Sequence, residues 1–271
     1  MNVSKDVINC VLKKFKFSII IPFYKRLDHL FETLDSVFTF YKKNNFEIIL
    51  ISDGDSSENI KYLKDYLNKD FRVKFFNILL IKNKSNLGVN FARYLGIINM
   101  NSNWGVFLDS DDILVKLPII NFNEEKHPLL FLGCKSLSNG KSLLPNNFKL
   151  NKEYFLSKKD LMLNSIGETL PVVSKKAYLS SELPLWHRGN ELNHYIRIIS
   201  KKNSKAILRT DFCRKYRDFS KYRRLTDRFS RLERSLYICI FHFDSLQLII
   251  KYKFLNFKKL FSVILKILIY G

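Results

Sequence analysis

The sequence has few cysteines, few acidic residues and no long uncharged apolar run. Each of these features excludes some classes of protein. Its four cysteines lie far apart and form no Cys-x-x-Cys pair, so neither a zinc site nor a disulfide framework is expected. No stretch supplies the roughly 18 uncharged residues of a membrane-spanning helix. Residues 1–16 carry five charged side chains and no signal-peptide pattern, which predicts a cytoplasmic protein.

Acidic residues are outnumbered by basic ones, 25 against 46, which gives a formal net charge of +21. The excess is largest at the end, where residues 201–271 contain 18 basic and 5 acidic side chains. A basic surface attracts the phosphates of nucleic acid, of anionic lipid or of a phosphorylated substrate, and charge alone does not choose among them. With 46% hydrophobic residues, the 271-residue chain can bury a large core and is not a disordered protein.

Strand-like apolar runs alternate with helical patterns in the first part of the chain. The runs cover residues 17–21, 46–51, 78–81 and 104–108. Pro22 is expected to end the first run, and serines of the segment 52–57 are expected to cap the second helix. Four such repeats predict an α/β fold with a doubly wound, mostly parallel sheet, whose functional loops gather at the carboxyl ends of the strands. Later the pattern weakens to a strand at 129–134 and a helix at 191–199.

The fourth run leads directly into three carboxylates, Asp109, Asp111 and Asp112. Charges this close repel one another, and a hard divalent cation bound by carboxylate oxygens is the usual way to stabilise them. Open α/β sheets bind their ligands just outside the carboxyl ends of the strands, where these residues are expected to lie. The alternative is an acidic turn that caps a helix beginning near Ile113.

Four segments occur in the order typical of one enzyme family. They are Ser-Ile-Ile-Ile-Pro-Phe-Tyr at 18–24, Ser-Asp-Gly-Asp-Ser at 52–56, Asn-Leu-Gly at 86–88 with Ala-Arg at 92–93, and Leu-Asp-Ser-Asp-Asp at 108–112. By these segments the chain resembles the family-2 glycosyltransferases, which use nucleotide sugars and have the GT-A fold. The resemblance is good over residues 17–117, looser over 129–199 and nearly absent from 201–271.

The resemblance implies roles for residues around the sheet edge. Pro22 and Tyr24 would line the nucleobase pocket, and Asp53 would accept a hydrogen bond from the imide N–H of uracil or thymine, with helix capping as its alternative role. Arg93 would lie near the donor phosphates and the carboxylate cluster, with a surface arginine on a helix as the alternative. Asp111 would bind Mn²⁺ or Mg²⁺, and Asp109 would lie near the ribose and the metal, as a second candidate ligand.

Two further assignments fall later in the chain. The family's catalytic base is the second member of an acidic pair after a glycine, and the corresponding run here is Gly189-Asn190-Glu191. Glu191 keeps the carboxylate but is one methylene longer; its alternative role is a first-turn glutamate favoured by the helix dipole, with His194 as a weaker rival base. Arg217 would contact the donor phosphates, although Phe219 replaces the histidine that follows in the family's stretch; a plain surface arginine is the alternative.

The resemblance implies an inverting glycosyltransferase (EC 2.4) that moves a sugar from a UDP- or dTDP-sugar to a hydroxyl of a saccharide in O-antigen, capsule or other surface-polysaccharide synthesis. One alternative is a non-catalytic basic protein that binds nucleotides or nucleic acid. It leaves the ordered carboxylates unexplained, and no nucleic-acid-binding module is recognisable, so no nucleic-acid partner is expected. The other, a nucleotidyltransferase of similar fold, predicts a glycine-rich loop after the first strand, where residues 22–26 contain no glycine.

We expect a catalytic domain over residues 1–234, with a nucleotide-sugar-binding half (17–117) and an acceptor-side half (118–234), followed by amphipathic basic helices over 235–271. Apolar positions of 254–270 can share one helical face flanked by lysines, as in a helix that lies in an anionic membrane interface. The resemblance adds a polyprenyl-linked acceptor and a peripheral location on the inner face of the cell membrane. A terminal helix docked on the catalytic domain is the alternative.

Overall fold

The computed structural model describes residues 3–10, 14–43, 45–163, 165–181, 183, 191–199, 204–218 and 231–251 of the chain. The strands are β1 Val3–Asn9, β2 Phe17–Phe23, β3 Phe46–Asp53, β4 Asn77–Asn83, β5 Trp104–Phe107, β6 Ile113–Leu114, β7 Leu129–Ser136, β8 Glu153–Leu156, β9 Thr169–Ser174 and β10 Ala206–Tyr216. The α-helices are α1 Leu27–Phe38, α2 Ser57–Lys69, α3 Val89–Asn99, α4 Lys158–Leu163, α5 Lys175–Leu179, α6 Glu191–Ile199 and α7 Arg231–Lys251. Short 3-10 helices cover Tyr41–Lys43 and Phe71–Phe75.

The strands form one sheet in the order β1-β4-β3-β2-β5-β9-β7-β10-β6, and β8 pairs with β10. Strands β4, β3, β2 and β5 are parallel neighbours, as are β7 and β10, whereas β9 runs antiparallel between β5 and β7. The predicted α/β fold with a parallel core is therefore confirmed, but the sheet as a whole is mixed rather than mostly parallel. Strand β10 was not predicted, because Arg209, Asp211 and Arg214 interrupt its apolar residues.

The parallel strands are apolar on both faces because helices cover both. Ile19 and Ile48 belong to the core cluster formed with α1 and α2, while Ile20 and Ile49 belong to the cluster formed with α3, α6 and α7. All four side chains are fully buried. Burial on both faces explains why these strands read as nearly continuous apolar runs in the sequence.

Pro22 lies inside β2 and does not end it, so that prediction was wrong. The Leu108 N–H donates to the carbonyl of Ile20, and β5 pairs with β2 only as far as Ile20 among the described strand residues. Pro22 follows Ile20 by two residues in β2, so the backbone groups of both residues point to the same side of the strand. The nitrogen of Pro22 therefore points to the side of β5, beyond the last residue pair of these two strands. Its missing N–H therefore costs no hydrogen bond in the sheet.

Two expectations about the helix starts had different outcomes. The predicted serine cap of α2 is confirmed at Ser56, whose Oγ accepts a hydrogen bond from the Asn59 N–H at 3.2 Å. The segment after the three carboxylates is strand β6, which pairs with β10, and not a helix. The alternative of a helix-capping acidic turn at Ile113 is thereby excluded.

The last described helix, α7, packs against α6 and contributes the buried residues Leu248 and Ile249 to the core. The domain boundary predicted after residue 234 falls inside this helix. The amphipathic segment predicted for 254–270 lies outside the described residues. Within the described part of the chain, no helix combines the length and apolar character needed to cross a membrane.

Gly54, which follows β3, generates a prediction about the fold. Its φ is +92°, and a β-carbon there would lie 2.5 Å from the backbone nitrogen of Asn86. We expect Gly54→Ala to lower the free energy of unfolding by more than about 2 kcal/mol in urea denaturation, because a left-handed backbone penalty adds to displacement of the neighbouring loop.

Gly140 provides the matched control. Its φ is +70°, and no atom lies within 4 Å of the position its β-carbon would take. Gly140→Ala should therefore cost only the backbone penalty, about 1–2 kcal/mol. Equal losses in the two variants would show that the close approach at residue 86 does not contribute.

Candidate active site

The site lies where the order of the parallel strands reverses, between β2 and β5. In sheets of this kind the loops on either side of the reversal leave a crevice at the carboxyl ends of the strands. Here the loop after β2 meets the loop after β5, and Arg26 Nη1 lies 3.4 Å from Asp111 Oδ2. The predicted convergence of these loops at one sheet edge is therefore observed.

Residues 109–112 form an acidic loop, and its carboxylates have different surroundings. Asp112 is completely buried, and its Oδ2 lies 2.7 Å from Nη1 of Arg214, itself only 2% exposed. Asp109 Oδ1 lies 2.8 Å from Arg93 Nη2, and its Oδ2 lies 3.5 Å from Arg214 Nη1. The side chain of Asp111 is 33% exposed. Each of the three carboxylates thus has an arginine nearby, and solvent reaches two of them, Asp111 and Asp109, whose side chain is 35% exposed.

Arg93 connects the acidic loop to the candidate base. Its guanidinium is buried, with the Phe107 ring centroid 5.1 Å away, and Nη1 lies 3.0 Å from Glu191 Oε1. Arg93 comes from α3, Asp109 follows β5, and Glu191 is the first residue of α6, so three separate elements meet at one ion-pair cluster. The sequence placed Arg93 near the carboxylates, and the structure brings all three residues together.

Glu191 opens onto a cleft of about 260 Å³. The cleft is lined by Arg93, Asp109, Ser165, Ile166, Gly167, Glu168, Thr169, Pro171, Glu191, Leu192, Tyr195 and Arg214. His194, the rival base, is 2% exposed and is not part of this lining. The geometry therefore favours Glu191 over His194 as the group that can meet a substrate in the cleft.

The pKa values of the acidic loop follow from burial and neighbouring charge. Burial raises the pKa of Asp111, and repulsion from Asp109 raises it further. Burial also raises the pKa of Asp112, while the Arg214 guanidinium opposes that rise. For Asp109 the effect of burial is outweighed by Arg93 and Arg214, and its pKa is lowered. The loop therefore holds concentrated negative charge that a cation would stabilise.

The residues present fit a hard divalent cation at Asp111. Its carboxylate is partly exposed, and its pKa is raised by burial and then by the negative charge of Asp109, which a bound cation would offset. Both oxygens of Asp109 already lie close to arginines, so its role as a ligand stays a prediction. No group of three or more His, Cys, Asp or Glu that could hold a metal occurs among the described residues. A magnesium-type site takes one or two carboxylates from the protein and completes its shell with substrate phosphates and water.

Asp53, the predicted base-binding residue, organises the loop before α3. It is 5% exposed; Oδ1 accepts from the Leu87 N–H at 2.9 Å and from Asn83 Nδ2 at 3.1 Å, and Oδ2 accepts from the Gly88 N–H at 2.8 Å. It does not cap α2, because Ser56 does. A carboxylate has about four acceptor sites, so one further hydrogen bond to a nucleobase is possible, and that role stays a prediction.

Tyr24, but not Pro22, faces an open groove of about 630 Å³ beside the start of α1. The groove is lined by Tyr24, Lys25, Arg26, Leu27, Asp28, Ser56, Asn59 and Tyr62. Pro22 is buried within the sheet, in register with Ile51. Of the two residues predicted to line a base pocket, Tyr24 is therefore the one that a ligand could reach in this structure.

Arg217 lies beside the acidic loop, and it contacts two residues of that loop and one residue of α1. Its N–H donates to Asp112 Oδ1 at 3.1 Å, its Nε donates to the carbonyl of Asp111 at 2.9 Å, and Nη2 pairs with Glu32 on α1. These contacts connect the acidic loop to α1 and help to hold it in place. A direct role with donor phosphates stays a prediction.

Sequence reasoning missed Arg214 and Glu168. Arg214 Nη2 lies 3.5 Å from Glu168 Oε2, and its Nε donates to Cys134 Sγ at 3.0 Å. Burial raises the pKa of that thiol to about 11. Arg214 lies 102 positions beyond Asp112, its ion-pair partner, in a strand that the apolar pattern did not reveal. A charged residue within an otherwise apolar, buried stretch was the available signal.

Comparison with solved structures defines the class of fold. One similar structure is S. aureus TarS residues 1–349 in complex with UDP-GlcNAc, with a TM-score of 0.61 and 15% sequence identity. The superposed region covers 85% of this chain and 66% of the TarS chain. Another is the mannosyltransferase PcManGT from Pyrobaculum calidifontis in complex with GDP-Man and Mn²⁺, with a TM-score of 0.57 and 10% sequence identity. The superposed region covers 87% of this chain and 65% of the PcManGT chain. The chain therefore has a GT-A-like fold.

Comparison of sequences shows what the first part of the chain is similar to. Residues 18–117 match the family described as Glycosyl transferase family 2. An uncharacterized glycosyltransferase of Rickettsia felis is 39% identical over 120 residues, which cover 43% of this chain and 19% of that protein. The matched segment thus spans about a fifth of this relative's length.

Arg214 gives the prediction of this section. Removing the guanidinium leaves the fully buried Asp112 carboxylate without its ion-pair partner, so Arg214→Gln should lower the free energy of unfolding by about 3–5 kcal/mol in urea denaturation. Adding Asp112→Asn should restore part of this loss, because it removes the unpaired buried charge.

Arg209, on the same strand, is the control. Its side chain is 20% exposed and pairs with Asp211 at 3.3 Å. Because such pairs contribute little, Arg209→Gln should cost less than about 1 kcal/mol. If Arg214→Gln cost no more than Arg209→Gln, the buried ion pair would not hold the acidic loop.

Proposed function

We propose that the chain is an inverting glycosyltransferase that moves a sugar from a UDP- or dTDP-sugar to a hydroxyl of a saccharide acceptor. The observation that carries this proposal is the ion-pair chain from Glu191 through Arg93 to Asp109. It sets a carboxylate that lines a cleft directly beside the acidic loop at the sheet edge. A donor on one side and a base on the other is the arrangement that a single displacement requires.

The donor class is supported by the fold and by the acidic loop. UDP-GlcNAc and GDP-Man, which the two similar structures contain, are both nucleoside diphosphate sugars. Tyr24 and Asp53 at the same sheet edge favour a uracil or thymine base, because an aromatic ring can stack on a base and a carboxylate accepts its imide N–H. Bound at Asp111, Mn²⁺ or Mg²⁺ would stabilise the charge that develops on the departing diphosphate.

The reaction proceeds in one step on this proposal. The acceptor oxygen bonds to the anomeric carbon as the bond from that carbon to the β-phosphate oxygen breaks, and the acceptor proton passes to Glu191. The bonding electrons leave with the nucleoside diphosphate. Since the acceptor attacks opposite the leaving group, the anomeric configuration inverts. Arg93 holds Glu191 Oε1, and within the described residues Oε2 makes no hydrogen bond, so it remains available for the proton.

Charge supports the membrane partner, and the resemblance to the family-2 glycosyltransferases supports the acceptor. The chain carries a net +21, and the four lysines of residues 252–271 follow directly after α7. We assign the chain a polyprenyl-linked saccharide acceptor in surface-polysaccharide synthesis and a peripheral position on the anionic inner face of the cell membrane. The same charge would suit a nucleic-acid-binding protein, but the cluster of carboxylates and buried arginines at the sheet edge favours transfer.

A panel of nucleotide sugars tests the proposal as a whole. The full chain is incubated with Mn²⁺ and UDP-GlcNAc, UDP-glucose, a dTDP-sugar or GDP-mannose, and nucleoside diphosphate release is followed. We expect release from a UDP- or dTDP-sugar. Absence of both release and nucleotide binding across the panel would contradict the proposal.

Glu191→Gln tests the base. It keeps a side chain of the same size that can still accept from Arg93, so donor affinity should stay within about twofold. Turnover should fall by a factor on the order of 10² to 10⁴, because the proton acceptor is lost. His194→Ala is the comparison; normal turnover by Glu191→Gln with loss in His194→Ala would reverse the assignment.

Asp111→Ala tests the metal. We expect it to weaken Mn²⁺-dependent UDP binding more than tenfold in calorimetric titration, because it deletes the proposed metal ligand of the acidic loop. The exposed Asp65 on α2 supplies the control, since Asp65→Ala should bind as the wild type does. Undiminished Mn²⁺-dependent binding by Asp111→Ala would remove Asp111 from the site.

Vesicle sedimentation tests the membrane partner. The full chain should sediment with vesicles that contain anionic lipid and not with neutral vesicles, and about 0.5 M salt should weaken binding because the screening length falls to roughly 4 Å. Truncation after Lys251 retains α7 and removes the four lysines beyond it. Equal binding by the truncated chain would show that residues 252–271 are not the attachment segment.

A further inference from the structure

A buried polar contact joins the last described helix to the helix that carries Glu191. Asp244 of α7 accepts hydrogen bonds from Asn193 Nδ2 at 2.9 Å and from Arg197 Nη1 at 3.0 Å, and it also pairs with Arg197 Nη2. Asn193 Nδ2 donates in addition to Ser245 Oγ at 3.1 Å. Asp244 is 7% exposed, Asn193 1% and Ser245 4%.

The contact lies within an apolar interface. Leu248 and Ile249 of α7 belong to the same buried cluster as Ile196 and Ile199 of α6. Apolar residues alone would allow the two helices to slide against each other, because hydrophobic contact is not directional. A buried carboxylate that must be paired fixes one register, since any shift would leave the charge without its partners.

The register of α6 matters because Glu191 is its first residue. Helix α6 has nine residues, too few to be stable alone in water, so its position depends on what packs against it. Asn193 and Arg197 lie two and six residues after Glu191, within about 9 Å along the axis. A change in the axial position of α6 would therefore move Glu191 relative to Arg93 and the cleft.

We propose that Asp244 is a positioning residue for sugar transfer: through Asn193 and Arg197 it fixes α6, and with it the Glu191 carboxylate. This inference rests on the proposed function of Glu191. It gives α7, which lies outside the family-matched segment 18–117, a part in catalysis without contact to substrate.

The test is a double-mutant cycle in the full chain between Asp244→Asn and Glu191→Gln, with the donor that the nucleotide-sugar panel identifies. Turnover and donor affinity are measured for each variant. Asp244→Asn should lower turnover about tenfold and change donor affinity by less than twofold. In the Glu191→Gln background it should lower turnover by less than twofold, because the group that it positions is already inactive.

Two further variants serve as controls. Asp244→Glu retains the carboxylate and should recover most of the lost turnover, which also covers the case in which Asp244→Asn folds poorly. Asp65→Asn makes the same chemical change at an exposed position on α2 and should match the wild type.

The outcomes separate the two claims. Wild-type turnover by Asp244→Asn overturns the inference and leaves Glu191 as the base. An equal loss of turnover in both backgrounds does the same, because a general loss of folded protein would give that result. Wild-type turnover by Glu191→Gln alone refutes the base assignment, and this inference with it.

Discussion

The geometry of the site depends on one buried guanidinium, that of Arg93, which must be paired with carboxylates. Arg93 is 5% exposed, and an arginine cannot escape burial by losing its proton. An unpaired charge at this depth would be strongly destabilising, so the fold is constrained to bring carboxylates to it. Asp109 and Glu191 meet that need from different elements. The contact that lets Arg93 be buried therefore also brings the candidate base to the candidate donor site.

The same constraint recurs at Arg214, on the other side of the acidic loop. Three aspartates within four residues would repel one another, and Arg214 pairs with Asp112 while contacting Asp109. Asp111, which lies 3.4 Å from Arg26, and Asp109 remain partly exposed at the crevice between β2 and β5, with side-chain exposures of 33% and 35%. One buried carboxylate and two partly exposed carboxylates, each with an arginine nearby, give the donor side of the site a defined geometry before any ligand binds.

Much of this could be predicted from the first half of the chain, and for a physical reason. Parallel strands buried on both faces leave continuous apolar runs, so β2 to β5 and the loops after them were visible, and the resemblance then supplied Arg93 and Glu191. The second half gave weaker signals. In strand β10, Arg209, Asp211 and Arg214 interrupt the apolar residues, so the pattern of a buried strand is lost, and Arg214 was missed with it. The role of Asp244 was hidden because its partners lie about fifty residues away on α6; in sequence it reads only as a break in an apolar stretch.

The most direct test of the account is the structure of the full chain crystallised with UDP and Mn²⁺. The account predicts metal density on Asp111, with the diphosphate between the acidic loop and the cleft that Glu191 lines, and the contact between Arg93 and Glu191 retained. A nucleotide bound away from the acidic loop, or a Glu191 carboxylate separated from the diphosphate by the body of the sheet, would contradict it.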